Sequence, residues 1–329
     1  MASVHAAAPI GCAAGAQACD RPVFLFGYPR SGTTLLSVIF AGHPDLAVPF
    51  STTGLWFRAH TELAGGDLGT ACDRLIDDER IRLWGTPLDA HDVRSRLAPA
   101  GDFGQVVKAF HSAYADAHAK PLWGNIDIAT IDEMHTVNRW FPNARFVQIV
   151  RDPRDVVLSN LSIPYNVGNA LDIARAWRAR VGTNLRMGAM LPEERYAVLR
   201  YEDLLAAPEA SLRTVCSRIG LGFDMAMLEF QAQARRQVPA SKAWLWPKLQ
   251  DPLAKQNAGR WRSEMGAHTR ALVERETAAL MAELGYDAEP GRPSRAGLLA
   301  LESWYQLTAG NRGRRLRRRL RLANPETRR

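Results

Sequence analysis

A strand that empties into a helix through a glycine-bounded loop limits this chain to few folds. Pro22-Val23-Phe24-Leu25-Phe26 is a short, unbroken apolar run that ends at Gly27-Tyr28-Pro29. A run of that length between breakers suits a strand buried on both faces of a parallel sheet. After Gly32, Leu35, Leu36, Ile39 and Phe40 recur at helical spacing until Pro44, which cannot continue a helix. The connecting segment is Gly27-Tyr28-Pro29-Arg30-Ser31-Gly32-Thr33-Thr34. Glycines there permit backbone conformations other residues resist, and the helix start offers free N–H groups and the positive end of its dipole. Together these make an anion site, and the strand-to-helix setting gives the loop its meaning.

The same alternation continues along the chain. Phe146-Val147-Gln148-Ile149-Val150 reads as a second strand, ending at Arg151-Asp152-Pro153. Asp152 is a good N-cap and Pro153 suits the first helical position, so a helix carrying Val156, Val157 and Ser159 follows. Residues 196–200 read as a third strand. Ile131, Met134, Val137 and Trp140 repeat at helical spacing, and further helices are expected at about 170–190, 212–219, 226–234 and 269–284. Residues 51–120 read as helices and loops above the sheet, and 238–262, rich in Pro, Lys and Trp, as loops. This pattern predicts an α/β chain with a three-layer P-loop-type fold, a central parallel sheet flanked by helices. The expected division is a disordered Ala-rich tail over 1–20, one domain over 21–290, and a helical extension with an Arg-rich tail over 291–329.

Composition narrows the classes. The 329 residues hold no stretch of the ~18 consecutive apolar positions that a membrane span needs. The N-terminus lacks the basic start and apolar run of a secretory signal. Cys12, Cys19, Cys72 and Cys216 show neither disulfide nor zinc-ligand spacing, so reduced thiols and a cytoplasmic protein without a metal are expected. The net charge of +8 is local: residues 312–329 hold nine arginines and one acid, Glu326, and the rest of the chain balances. This excludes a general nucleic-acid-binding face. Leu298, Leu299, Leu301, Trp304, Tyr305 and Leu307 precede the arginines. The extension therefore reads either as a solvated tail or as a peripheral anchor on an anionic membrane.

The loop departs from the ATP-binding pattern G-x-x-x-x-G-K-S/T. Thr33 stands where the lysine belongs, and the cation has moved to Arg30, which argues against Mg-ATP chemistry and a P-loop kinase. Arg30 two residues before Gly32, followed by Thr33-Thr34, resembles the 5′-phosphosulfate loop of sulfotransferases. The segment from Phe141 to Ser159 resembles the same family's 3′-phosphate element, in which Arg151 and Ser159 match the ligands. Arg200-Tyr201-Glu202-Asp203-Leu204 and Gly259-Arg260-Trp261-Arg262 resemble its later nucleotide contacts. Read without the resemblance, Tyr201 is equally a packed core tyrosine, Arg260 a surface charge, and Arg154 and Asp155 a structural pair.

The resemblance spans about residues 22–262 and implies a co-substrate, 3′-phosphoadenosine 5′-phosphosulfate (PAPS). Its implied ligands are Arg30, Ser31, Gly32, Thr33, Thr34, Arg151, Ser159, Tyr201 and Arg260, with Arg30 also the catalytic cation and no metal required. It implies sulfuryl transfer to a hydroxyl or amine of an acceptor the sequence does not identify: a small molecule, lipid or carbohydrate rather than a protein tyrosine. The chain departs from the family pattern at two positions. Ser51 stands where a catalytic Glu belongs in relatives acting on protein tyrosines and many bacterial substrates, and Ile126 where an assisting Lys belongs. Substitute bases are His60, Glu62, His111 and Asp127. The alternative is a nucleotide-binding protein that has lost catalysis. Trp56, Phe57, Trp84, Trp244 and Trp246 suit an apolar acceptor pocket or, equally, core packing.

Overall fold

The computed structural model describes residues 21–63, 65–98, 101–163, 168–238, 249, 251–289 and 293–308. The N-terminal tail with Cys12 and Cys19, Trp244 and Trp246, and the arginines after 308 lie outside these residues. The strands are β1 (Val23–Gly27), β2 (Leu46–Ala47), β3 (Leu122–Ile126), β4 (Arg145–Val150) and β5 (Tyr196–Arg200). The helices begin with α1 (Thr33–Ala41), α2 (Leu55–Glu62), α3 (Leu68–Leu75), α4 (Glu79–Arg82), α5 (Ala90–Ser95), α6 (Gly104–Ala117) and α7 (Thr130–Trp140). There follow α8 (Pro153–Leu161), α9 (Ala170–Ala189), α10 (Tyr201–Ala206), α11 (Pro208–Arg218) and α12 (Phe230–Gln237). The last are α13 (Trp261–Glu264), α14 (Ala267–Glu283) and α15 (Arg295–Leu307). No helix among the described residues is long and apolar enough to cross a membrane.

These elements form two compact units. The first contains the described residues of Met1–Gly27 with Gly32–Ile149 and Met187–Leu253; the second contains Tyr28–Ser31, Val150–Arg186 and the described residues from Ala254 onward. The sheet of the first unit runs β2-β3-β1-β4-β5, with β1 parallel to both β3 and β4, and β2 parallel to β3. Alternation along β1 explains its unbroken apolar run. Val23 and Leu25 join a core with Leu36, Ile39 and Phe40 of α1 and Leu212, Val215 and Phe230. Phe24 points the other way, its ring centroid 5.9 Å from Trp123 and 5.5 Å from Phe141. Both faces are covered, so no polar alternation survives.

Two strands escape the periodicity argument. β2 has only two residues, and β3 reads Leu-Trp-Gly-Asn-Ile, with Gly124 and Asn125 interrupting the apolar signal. Packing explains Gly124: a Cβ there would stand 2.9 Å from the Val23 carbonyl oxygen and 3.2 Å from Val48 Cγ2. Glycine in a strand marks this kind of close approach. Of the segment 238–262, residues 239–248 and 250 lie outside the described residues; in the remainder Lys255–Asn257 forms a 3₁₀ turn and α13 begins at Trp261.

The end of α1 is fixed by a lysine. Lys120 Nζ donates to the carbonyl oxygens of Ala41, His43 and Leu46 at 2.8, 2.8 and 3.0 Å, satisfying acceptors that a helix C-terminus leaves open. His43 Nδ1 accepts from the Asp45 N–H at 3.1 Å, so its Nε2–H donates to the Gly222 carbonyl at 2.6 Å. In the second unit, α14 packs against α8 and α15, and Asn169 Nδ2 donates to the Tyr305 carbonyl at 2.7 Å.

Candidate functional site

The loop after β1 is bent by two residues in the left-handed region: Arg30 (φ 71°) and Gly32 (φ 101°). Glycine adopts such a φ freely, whereas an arginine held there stores strain of the kind that collects at functional turns. Gly27 is needed for space, because a Cβ would lie 2.5 Å from the Ile149 carbonyl oxygen. Gly32 is the N-cap of α1 and supplies no side chain to cap it. The first N–H groups of α1, at Thr33 and Thr34, therefore face outward from the loop with the positive end of the helix dipole behind them. Ser31 is fully buried, and its Oγ finds no hydrogen-bond partner among the described residues. A buried hydroxyl left in this state is costly unless a ligand completes it. The uncapped N–H groups of α1 in the first unit and the Ser31 hydroxyl in the second are each the kind of donor that a phosphate or phosphosulfate takes.

The second unit gathers the cations. Asp152 accepts from the Arg154 N–H at 2.9 Å and starts α8 with Pro153 at its first position, as the sequence predicts. That start sets Arg151 at the end of β4 and Ser159 in the second helical turn. Arg30 Nε donates to Ser159 Oγ at 3.2 Å, Arg151 Nη1 donates to the Arg30 carbonyl at 3.2 Å, and Asn160 Nδ2 donates to the Pro29 carbonyl at 3.3 Å. Two sequence segments more than a hundred residues apart thus meet as one patch holding two guanidinium groups and a serine hydroxyl. Asn160, adjacent to Ser159, pins the loop backbone.

Arg154 is structural, but its partners are Asp152 and Glu274 and not the expected Asp155. Arg154 is 2 % exposed, pairs with Asp152 and Glu274 at 2.7 Å each, and lays its guanidinium 3.6 Å from the centroid of Trp261. Arg260 stands at the N-cap of α13, and its guanidinium grips Glu264 through two bonds of 2.8 and 2.7 Å. In the first unit, Tyr201 opens α10 just after β5, and its ring lies where a Cβ on Gly32 would approach Tyr201 Cδ2 to 2.7 Å. The same ring packs on the core beneath, so the tyrosine serves packing while also walling the glycine of the loop.

Each of the four candidate bases has partners of its own within the first unit. His111 is fully buried among Trp56, Trp84 and Trp123, and its Nδ1–H donates to the Val107 carbonyl at 2.8 Å. Asp127 is fully buried and accepts from the N–H groups of Gly54 (2.7 Å) and Ala129 (2.9 Å) and from Thr52 Oγ1 (3.2 Å). Desolvation raises its pKa against these bonds, and its work is to tie the left-handed turn at Thr53-Gly54 to the start of α7. His60 packs its ring on Trp140 and Phe103, and Glu62 is exposed beside Arg58. Trp56 and Trp84 likewise belong to the core. At the position expected for the base, Ser51 Oγ accepts from the Thr53 N–H at 3.3 Å, while Ile126 is buried in the core beside β1.

His111 carries a pH signature. Burial pushes its imidazole down from 6.5 to about 4, against the Val107 carbonyl and the Asn125 side chain, which favour the charged form. The fold holds the neutral ring while the unfolded chain takes a proton near 6.5. The stabilising difference is therefore full above pH 6.5 and is lost as pH falls towards 4, about 3 kcal/mol in all. In urea denaturation between pH 4.5 and 7, His111→Leu should lose less stability on acidification than the wild type. Parallel losses in the two proteins would remove His111 as the cause. His43 and His118, also lowered by burial, contribute with the same sign to both.

A solved sulfotransferase domain from the Synechococcus PCC 7002 olefin synthase is 25% identical, with a TM-score of 0.56 over 82% of this chain and 96% of that one. Human protein-tyrosine sulfotransferase 1 is 21% identical over 294 residues, 84% of this chain and 72% of the relative. The Drosophila melanogaster protein-tyrosine sulfotransferase is 23% identical over 284 residues, of which this chain spans about half the relative's length (52%). The family model described as "Sulfotransferase family" matches residues 22–225, a span that opens with β1 and its loop and includes Arg151, Ser159 and Tyr201. With that match over more than half its length, the chain belongs to the sulfotransferase family.

Proposed function

We propose that the protein transfers a sulfuryl group from PAPS to a hydroxyl or amine of a small-molecule, lipid or carbohydrate acceptor. The observation that carries this reading is the meeting of Arg30 with Ser159 and Arg151, at 3.2 Å each, next to a glycine turn and a buried, unsatisfied Ser31 hydroxyl. Arg30, Ser31, Gly32, Thr33 and Thr34 would hold the 5′-phosphosulfate, and Arg151 and Ser159 the 3′-phosphate. Tyr201 would lie against the nucleotide, and Arg260 would turn from Glu264 to add a further cation.

PAPS supplies an activated sulfuryl group. The acceptor oxygen or nitrogen bonds to sulfur as the sulfur–oxygen bond to the 5′-phosphate breaks, leaving adenosine 3′,5′-bisphosphate. Arg30 and the N–H groups of α1 stabilise the charge that grows on the departing phosphate oxygen. The acceptor's proton has no acceptor of the expected type at Ser51. An acceptor whose hydroxyl is already acidic needs the least help, so the proton leaves most easily from such a group.

The acceptor class is supported by Ser51, which departs from the Glu that the resemblance expects in relatives acting on protein tyrosines. Incubation with PAPS and a panel of phenols, lipid alcohols, sugars, amines and tyrosine peptides, read by mass spectrometry, tests it. The expected result is the gain of one sulfo group on a small acceptor, phenols first. Modification of tyrosine peptides alone would overturn the acceptor class. Tight binding of adenosine 3′,5′-bisphosphate with no transfer would favour the second reading, a nucleotide-binding protein without catalysis, for which Ser51 and Ile126 speak.

A further inference from the structure

Resting on the PAPS reading, we infer that Asp155 is a positioning residue for the 3′-phosphate site, acting through Arg151 and the segment 257–261 without touching the nucleotide. Asp155 is 1 % exposed, and its hydrogen-bond partners among the described residues are Arg151, Gly259 and Trp261. Its Oδ2 accepts from the Gly259 N–H at 2.7 Å and its Oδ1 from the Trp261 N–H at 3.0 Å. The same Oδ2 lies 3.4 Å from Arg151 Nη2. Arg151 Nη2 also donates to the Asn257 carbonyl at 2.8 Å, so the guanidinium is held from both sides of the segment that carries Arg260.

The chemistry of the group explains the arrangement. An ionised carboxylate only accepts, and here it faces three donors, two of them backbone N–H groups fixed by the chain. It therefore sets two things at once. It turns the Arg151 fork so that Nη1 reaches the Arg30 carbonyl, and it holds the turn at Gly259, whose φ of 73° only glycine adopts without strain. A Cβ on Gly259 would also meet Arg262 Nη1 at 2.6 Å. Trp261 is clamped between Arg154 at 3.6 Å and Arg262 at 4.4 Å, which leaves the Asp155 bonds to decide how residues 257–260 face Arg151.

An amide in place of the carboxylate keeps the shape but turns one acceptor into a donor, so one of the three donors meets another donor. Asp155→Asn should weaken adenosine 3′,5′-bisphosphate binding about 10- to 100-fold in calorimetry. Adenosine 5′-phosphate, which lacks the 3′-phosphate, should change less than about threefold, since its contacts lie on the loop side. In turnover, KM for PAPS should rise while KM for the acceptor and kcat at saturating PAPS stay within about threefold.

On an Arg151→Gln background, adding Asp155→Asn should cost clearly less than it does alone, because one of the two routes through which Asp155 acts, the Arg151 guanidinium, is already gone while the 257–261 segment remains. Should Asp155→Asn fail to fold, Gly259→Ala probes the same clasp from its other end and should show the same selective loss. Equal losses for both nucleotides, or an undiminished loss on the Arg151→Gln background, would overturn the positioning role. A wild-type protein that binds the two nucleotides equally well would instead overturn the PAPS reading itself, so the two failures are distinguishable.

Discussion

Alanine in place of Arg30 should lower kcat/KM for sulfuryl transfer from PAPS by about 10²–10³-fold, while the protein keeps its fold. The magnitude is that of removing a preorganised donor from the position where charge develops in the transition state. Arg30 carries its guanidinium on a left-handed residue (φ 71°) and aims it at Ser159. Its role in stability should run opposite to its role in catalysis. Arg30→Gly relieves the backbone strain and should melt no lower than Arg30→Ala, by up to about 1 kcal/mol in its favour, yet be equally inactive. Steady-state kinetics and thermal melting of the two variants together check this. Activity within tenfold of wild type in both would remove Arg30 from the chemistry.

The largest expected stability loss belongs to Arg154. This guanidinium is 2 % exposed, bonded to Asp152 and Glu274 at 2.7 Å each, and stacked on Trp261. Removing one partner of a buried ionic network strands the others in a medium that cannot solvate them, which typically costs about 3–5 kcal/mol. Arg154→Ala should therefore lose stability on that scale in urea denaturation, whereas Arg262→Ala, at an exposed pair with Glu289, should lose less than about 1 kcal/mol. Similar small losses for both would mean that the Arg154 network is looser than its geometry implies.

How far the sequence reaches depends on where each signal originates. β1 is legible because burial on two faces writes a continuous apolar run; β4 is nearly so, broken only by the buried Gln148, and β5, at the sheet edge with Val198 exposed, is legible from its apolar residues alone. The start of α8 was legible because Asp152 and Pro153 act through local chemistry. β3 was not, because Gly124 and Asn125 are chosen by neighbours distant in sequence, among them the Val23 carbonyl and Val48. The cation cluster shows the same division. Arg30, Arg151 and Ser159 stand in recognisable strings, but that Arg30 meets Ser159 depends on where the chain returns.

Asp155 illustrates the limit more sharply. Beside Arg154 it reads as half of an ordinary ion pair, and only the folded chain shows its carboxylate receiving the N–H groups of Gly259 and Trp261. For the base candidates, residue type does not show the surroundings: His111 is buried in an aromatic core, and Asp127 accepts from the backbone of a turn. Chemistry-bearing side chains serve packing and turn-making as readily as catalysis, and spacing along the chain does not distinguish these uses.

In the proposed reading, the Arg30 loop and the Arg151–Ser159 pair grip two phosphates of one adenosine nucleotide. Calorimetric titration of the wild-type protein with adenosine 3′,5′-bisphosphate, set beside ATP with magnesium, tests it most directly. The account predicts binding of the bisphosphate near or below about 10 μM and at least about 100-fold weaker binding of Mg-ATP, a gap of roughly 2.7 kcal/mol. Mg-ATP binding as tight as the bisphosphate, or no binding of the bisphosphate at all, would contradict it.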